Sequence, residues 1–163
     1  MGIRFHVRVW TRFLASPEAI WQQVVDPVHA SAGWGPLLSR PGYPAFGGDG
    51  DAALRCVGLP LGVDWQVRTT ERVEGARWVT EVTTPLFVDF AHERVVEATP
   101  DGCRALDVYT FTPKGPAPKA AAVAVQRLAV RRHRALARGL PADPQATAVS
   151  VLRVRVEDAW TSD

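Results

Sequence analysis

Residues 85–116, PLFVDFAHERVVEATPDGCRALDVYTFTPKGP, predict two antiparallel strands joined by the turn Thr99-Pro100-Asp101-Gly102. The turn sets the register of this hairpin, because it places Thr99 opposite Gly102 and each earlier residue opposite a later one. Residues that lie directly opposite each other share a face of the sheet. One face therefore carries four predicted pairs, which are Phe90/Phe111, His92/Tyr109, Arg94/Asp107 and Val96/Ala105.

We expect this largely aromatic face to be the concave, buried side of the sheet. The opposite face carries Glu93, Glu97 and Arg104. Burying these charges while exposing two phenylalanines and a tyrosine would cost more free energy than the reverse arrangement. The hairpin therefore predicts a buried surface that is apolar apart from a few polar side chains.

The preceding hairpin divides into two faces in the same way. With Glu74-Gly75 as a two-residue turn, Glu71 lies beside Trp78 near the turn, and Arg68 pairs with Glu81 on the solvated side. The buried side is then predicted to carry Trp65, Val67, Thr69, Glu71, Trp78, Thr80 and Val82.

The chain before these hairpins predicts one strand and two short helices. Residues 3–9 alternate apolar with basic side chains, as a half-buried strand does. Ser16-Pro17-Glu18 then supplies an N-cap, a first-turn proline and a first-turn carboxylate for a helix that ends near Val25. Asp26-Pro27 repeats this signal and predicts a second short helix, and residues 33–51 predict a long loop because Gly, Pro and Asp dominate them.

The chain from residue 52 onwards predicts a meander, a long helix and a further strand. Turn signals divide residues 52–113 into antiparallel strands, and the Ala-rich run that ends at Gly139-Leu140-Pro141 predicts an amphipathic helix. Most of the arginines lie on the side of this helix opposite its apolar stripe, which contains Val125, Leu128, Ala129, Leu136 and Leu140.

The tail is too apolar for a disordered end, so we expect a strand over residues 148–156 after a polar linker. It would pair with an edge of its own sheet or with the edge of a neighbouring subunit. We favour the second arrangement, which would make a homodimer through the C-terminal strand.

Composition and charge exclude several classes of protein. The 163 residues fit one domain, and 19 Lys plus Arg against 17 Asp plus Glu leave a formal charge of only +2, which gives no sign of a nucleic-acid partner. No apolar run approaches the ~20 residues of a membrane span. Cys56 and Cys103 lack the spacing of a metal or redox motif. We therefore expect a cytoplasmic protein without membrane attachment, metal or cofactor.

The order of these elements, together with the stretches VRVWTRFLASPEAIWQQVVDP (residues 7–27) and 85–116, resembles the SRPBCC or START helix-grip superfamily. This superfamily includes polyketide cyclases, plant hormone receptors and lipid-transfer domains. The resemblance implies an α+β fold in which a curved antiparallel sheet wraps around a long C-terminal helix, with a ligand cavity between them. It covers about residues 1–140, and residues 141–163 form a C-terminal extension beyond it.

The predicted pocket combines aromatic walls with few polar groups, as expected of a site for a hydrophobic molecule that carries oxygen. We predict three catalytic residues, His92, Tyr109 and Arg94, for proton transfer and enolate stabilisation. Ligand-binding residues are predicted to be Trp65, Val67, Glu71, Trp78, Phe90, Asp107, Phe111 and Val125.

Each of these residues also has a purely structural interpretation. His92 could be a core histidine whose hydrogen bonding is satisfied by the hydroxyl of Tyr109. Arg94 and Asp107 could form only a cross-strand ion pair. Glu71 could lie at the rim of the pocket and not within it.

Three functions fit this pattern. The first is a polyketide cyclase or dehydrase-like enzyme that folds a reactive substrate and moves its protons. The second is a carrier or sensor with the same cavity and no chemistry. The third is an interaction protein that uses the extra C-terminal strand for a partner or dimer contact.

Overall fold

The computed structural model describes residues 2–25, 50–55, 62–140 and 142–156, with side chains over residues 2–23 and 68–140. Its elements in chain order are β1 (Gly2–Phe13), α1 (Pro17–Val25), β2 (Gly50–Arg55), β3 (Gly62–Val73), β4 (Arg77–Thr83), β5 (Phe87–Thr99), β6 (Gly102–Pro113), α2 (Pro118–Gly139) and β7 (Ala142–Val156).

The strands form one antiparallel sheet in the order β2-β3-β4-β5-β6-β1-β7. Helix α2 packs against β1, β6 and β7, and α1 packs against β5 and β6. The predicted α+β architecture, a curved antiparallel sheet around a long C-terminal helix, is confirmed.

The predicted register of the β5–β6 hairpin is confirmed from Thr99↔Gly102 to Phe90↔Phe111. A side chain at Gly102 would meet the carbonyl oxygen of Phe13, because its Cβ would lie 2.2 Å from that atom, and the backbone there has a positive φ of 151°. Only glycine therefore fits this end of the turn without strain. The buried face of the hairpin carries Phe90, His92, Arg94, Val96, Ala105, Asp107, Tyr109 and Phe111.

The register at the tip of the β3–β4 hairpin differs from the one predicted from the sequence. The turn has three residues, Glu74 to Ala76, with Gly75 at φ 75°, so Val73 lies opposite Arg77 and Glu71 opposite Val79. A register shift between Thr69 and Glu71 then restores the predicted pairing of Arg68 with Glu81. The predicted position of Glu71 opposite Trp78 is wrong, because the extra turn residue displaces this end of β3 by one position.

Helix α1 begins as its sequence predicts. Ser16 Oγ accepts a hydrogen bond of 3.3 Å from the backbone N–H of Ala19, and Pro17 occupies the first helical position. The second helix predicted from Asp26 and most of the predicted loop over residues 33–51 lie outside the described residues.

Strand β7 pairs with β1 of the same chain, from Gly2↔Val156 to Phe13↔Ala142. The segment predicted as a strand, residues 148–156, lies within it. Residues 142–147 were expected to form a linker but belong to the strand as well, because β7 follows the edge of β1 over nearly its whole length. A homodimer through this strand stays a prediction.

The core is aromatic at one end of the sheet. The rings of Phe5 and Phe90 each stack on Phe111, with centroids 5.7 Å apart in both pairs. Trp21 of α1 packs on Trp78 of β4 at 5.9 Å, which anchors the first helix to the sheet. Cys103 is a buried free thiol. None of the described helices is long and apolar enough to cross a membrane.

Helix α2 lays its apolar stripe on the sheet, so truncation of that stripe should destabilise the fold. Leu136 is 8% exposed, whereas Val123 on the same helix is 45% exposed. We expect Leu136→Ala to lower the free energy of unfolding by about 2–5 kcal/mol, and Val123→Ala to change it by less than about 0.5 kcal/mol. Urea denaturation of both variants measures this difference, and equal losses would contradict the packing of α2 described above.

Candidate functional site

A buried carboxylate, that of Asp107 on β6, lies at the centre of a polar cluster on the buried face of the sheet. Arg94 on β5 lies opposite it, donating from Nε to Oδ1 and from Nη2 to Oδ2, both at 2.5 Å. This two-point contact fixes the plane of the carboxylate as well as its charge.

Two histidines approach the same carboxylate from different elements. The Nε2 atom of His92, on β5, lies 3.3 Å from Oδ1, and that of His133, on α2, lies 3.1 Å from Oδ2. Both are close contacts rather than well-aligned hydrogen bonds. The hydroxyl of Thr11 on β1 lies 2.9 Å from Nδ1 of His133, so this ring is held at both nitrogens.

Tyr109 completes the cluster and links it to α2. Its hydroxyl accepts a hydrogen bond of 2.8 Å from Nη1 of Arg132 and lies 3.4 Å from Oδ2 of Asp107, to which it donates. Its ring stacks on that of His92, with centroids 4.5 Å apart and planes 17° apart. Phe90 covers the other side of Tyr109 edge-on, at 6.2 Å.

Burial controls the ionisation of this cluster. It lowers the pKa of His92 to about 4 and lowers the pKa of His133, although the carboxylate of Asp107 opposes both shifts. It raises the pKa of Tyr109, although Arg132 opposes this shift. At neutral pH both imidazoles are therefore neutral and the phenol keeps its proton.

Burial alone would also raise the pKa of Asp107. The positive charge of Arg94 is the strongest opposing influence, and the pKa is held well below its usual range. The pKa of Arg94 is raised, because its ion pair with Asp107 outweighs the effect of its own burial. The site thus contains a buried ion pair between two neutral imidazoles.

The positions of the protons follow from these contacts. A carboxylate beside Nε2 favours the proton on that nitrogen, which makes Nδ1 the basic atom of each ring. In His133, Nδ1 accepts from the hydroxyl of Thr11. In His92, Nδ1 is the atom suited to take a proton from a bound molecule.

The structure brings most of the predicted site residues together. His92, Arg94, Asp107 and Tyr109 are in mutual contact, with Phe90 and Phe111 as aromatic neighbours. Trp78 and Val125 are buried on β4 and α2. The side chains of Trp65 and Val67 lie outside the described residues.

Glu71 is not part of this cluster, which corrects its predicted place in the pocket. Its side chain is 44% exposed and accepts a hydrogen bond of 2.8 Å from Arg77 at the surface. The physical reason is the longer turn, which moves Glu71 away from the position opposite Trp78.

Sequence reasoning missed Arg132, His133 and Thr11 as members of the cluster. Most arginines of the helix do lie opposite its apolar stripe, as predicted, but Arg132 is buried. The spacing of Val125, Ala129, Arg132 and Leu136 repeats every three or four residues, so it puts Arg132 on the apolar side of α2. This spacing could have identified Arg132 as buried before the structure was known.

Histidine and aspartate are common metal ligands, but in this cluster the carboxylate is engaged by an arginine. Arg94 already contacts both oxygens of Asp107, and no group of three His, Cys, Asp or Glu residues suited to a metal occurs within the described ranges.

Two grooves lie elsewhere on the surface. One, of about 460 Å³, lies where β4 and β5 separate near Thr84, and the other, of about 740 Å³, follows α2. The cavity predicted between the sheet and α2 stays a prediction.

No protein-family profile and no curated relative matches the chain. Solved structures do resemble it. The Zhui aromatase/cyclase from Streptomyces sp. R1128 matches at a TM-score of 0.61 and 14% identity, covering 82% of this chain and 91% of that one. Protein CV1439 from Chromobacterium violaceum matches at 0.62 and 18%, covering 85% and 98%.

The protein Ara h 8.0201 also matches, at a TM-score of 0.60 and 15% identity over 81% of this chain and 95% of its own. Identities this low speak for the fold alone. The TM-scores show that the chain shares the fold of these structures, which is the helix-grip fold that the sequence predicts.

Proposed function

We propose that the protein binds a hydrophobic, oxygen-bearing small molecule against the His92–Tyr109 pair and catalyses its cyclisation or dehydration, as a polyketide cyclase does. The observation that carries the proposal is the stacking of a neutral imidazole on a phenol that accepts a hydrogen bond from Arg132. A base and a hydrogen-bond donor thus lie side by side in a buried, largely aromatic setting.

The proposed reaction begins with a proton on the carbon next to a carbonyl group of the substrate. His92 takes this proton on Nδ1, and the electrons of the broken C–H bond move into the carbonyl as an enolate. The hydroxyl of Tyr109, which donates to Asp107 in the structure, turns to donate to the enolate oxygen. The hydrogen bond from Arg132 strengthens that donor because it draws electron density from the phenol oxygen.

The second step returns the proton. In a dehydration, the imidazolium of His92 protonates the hydroxyl group one carbon further on, which leaves as water while the enolate electrons form the carbon–carbon double bond. The low pKa of His92 makes its imidazolium a strong proton donor for this step. Asp107, 3.3 Å away, stabilises the transient positive charge on His92.

The predicted role of Arg94 changes in this mechanism. Both of its contacts with the cluster go to Asp107, so it acts by holding that carboxylate in place rather than by touching substrate. Phe90, Phe111 and Phe87 supply the apolar contact surface for the substrate.

The similarity to aromatase/cyclases supports this reaction class. Two of the similar structures are the aromatase/cyclase Zhui and StfQ, a di-domain ARO/CYC from the steffimycin biosynthetic pathway. StfQ matches at a TM-score of 0.62 and 10% identity, and the alignment covers 82% of this chain and 49% of that one.

A non-catalytic carrier or sensor is the alternative. Each oxygen of Asp107 already has at least two protein contacts, as in a cluster built for rigid recognition. Both forms of the proposal keep the small-molecule ligand and the cytoplasmic location that the sequence predicts.

The catalytic roles of the Tyr109 hydroxyl and the His92 imidazole can be tested with a surrogate substrate. A suitable surrogate is 4-hydroxy-4-phenylbutan-2-one, whose loss of water gives a conjugated enone that absorbs in the near ultraviolet. We expect the protein to accelerate this reaction, and Tyr109→Phe and His92→Ala each to lower turnover by ~100-fold with the fold retained, as loss of acid–base assistance does.

Thr110→Val is the matched control, because it removes a hydroxyl from the next residue of β6, on the opposite face, where Thr110 contacts His6. Turnover in this variant should stay close to that of the unchanged protein. Turnover that is the same in all four proteins would leave only the carrier, and native mass spectrometry of the purified protein would then identify a retained ligand.

The neutral state of His92 also predicts how stability depends on pH. Between pH 6.5 and about 4 the unfolded chain protonates this histidine and the folded chain does not. The stabilisation is therefore complete above pH 6.5 and is lost as the pH falls toward 4. This loss is on the order of 3 kcal/mol from His92 alone, and burial of His133 acts in the same direction.

Urea denaturation at a series of pH values between 7 and 4 measures this effect. His92→Gln should reduce the dependence of the unfolding free energy on pH, because it removes the group whose pKa burial lowers. An identical pH dependence in His92→Gln and the unchanged protein would show that His92 is not buried in its neutral form.

A further inference from the structure

Four arginines form a single stripe along the exposed side of α2. Arg127, Arg131, Arg134 and Arg138 follow one another at intervals of three or four residues, and all four are exposed. They therefore lie on one face of the helix. The helix contains no Asp or Glu that could alternate with them.

The pairing of these arginines differs from that of the sheet arginines. Within the part of the chain that the structure describes, none of the four forms an ion pair. Five arginines of the sheet each pair with a carboxylate, namely Arg4, Arg12, Arg72, Arg77 and Arg104. Pairing is thus usual for the surface arginines of the sheet, and the α2 stripe departs from it.

The stripe also lies in a groove. A volume of about 740 Å³ runs along this side of α2, and its described lining comprises Val123, Gln126, Arg127, Val130, Arg131, Arg134, Ala135 and Arg138. From Val123 to Arg138 the helix rises by about 22 Å. Val123 is 45% exposed at one end, so the groove combines apolar contact surface with a row of positive charges.

We propose that this groove is a docking surface for an acidic α-helix of another protein. Carboxylates placed four residues apart on a helix recur about every 6 Å along its axis, which is also the rise between Arg127 and Arg131 or between Arg134 and Arg138. Such a helix would neutralise the repulsion between neighbouring arginines and cover Val123 and Val130.

The row of charges favours a helix over other anionic partners. A membrane presents its charge over a plane, whereas an acidic helix presents carboxylates in a row with the spacing of the arginines. Binding of single-stranded nucleic acid relies on aromatic side chains between the basic ones, and the described lining residues include no aromatic residue. The arginine stripe lies on the side of α2 that faces away from the Asp107 cluster. The docking surface is therefore independent of the proposed small-molecule site.

The probe is an Ala-rich helical peptide of about 20 residues with glutamates at the spacing of the arginine stripe. A second peptide has the same composition, but its glutamates are spread around the helix. Fluorescence anisotropy at low salt measures the affinity of the full-length protein for each. We expect the spaced peptide to bind about tenfold more tightly, with an affinity that falls as salt is added.

Two double variants separate the stripe from net charge. R131Q/R134Q removes two charges from the stripe, and R12Q/R104Q removes two from paired arginines of the sheet. Glutamine keeps the helix propensity of α2. We expect the first variant to weaken binding of the spaced peptide about tenfold and the second to change it less than about twofold.

Several outcomes would overturn the proposal. They are equal affinity for both peptides, equal effects of the two double variants, and tighter binding to phosphatidylglycerol vesicles or to DNA than to the spaced peptide. Tighter binding of a peptide with the chain's own acidic end, EDAWTSD at residues 157–163, would also overturn it, since the occupant would then come from this chain.

Discussion

A carboxylate without exposure to water must find its positive charge and hydrogen-bond donors within the protein, and Asp107 imposes this requirement on the whole fold. Its partners come from β5 and α2, and Thr11 of β1 holds one of them. The pair with Arg94 requires the register of the β5–β6 hairpin, and the contact with His133 requires α2 to lie across the sheet. Losing one partner of such a buried pair typically costs about 3–5 kcal/mol.

Buried ion pairs contribute little stability beyond what an apolar pair would give, so stability alone does not explain this cluster. Its effect is to fix the chemical state of neighbouring groups. Burial keeps His92 and His133 neutral and Tyr109 protonated, while Arg94 keeps Asp107 charged. The result is an ordered set of donors and acceptors in which the hydroxyl of Tyr109 has only to turn from Asp107 when charge develops on a bound molecule.

Features of the fold and site that are fixed by residues close together in the chain could be predicted from the sequence. Features that depend on contacts between distant elements could not. The turn at residues 99–102 fixes the hairpin locally, so the pairs His92/Tyr109 and Arg94/Asp107 followed from strand alternation. At Glu74 the number of turn residues was ambiguous, and a one-residue error moved Glu71. Contacts of α2 with the sheet, such as Arg132 with Tyr109, depend on tertiary packing, which residue type alone did not reveal.

Whether this cluster catalyses a reaction or only binds a ligand depends on which ligand group meets Nδ1 of His92. Asp107, His133 and Thr11 make their contacts with one another, and Arg94 is held by Asp107. In His92, Nε2 lies beside Asp107, which makes Nδ1 the basic atom of the ring. If that atom meets an acidic C–H of the ligand, the adjacent Tyr109 stabilises the enolate by turning its hydroxyl from Asp107 to the enolate oxygen. If it meets a hydrogen-bond donor instead, the same arrangement only recognises the ligand.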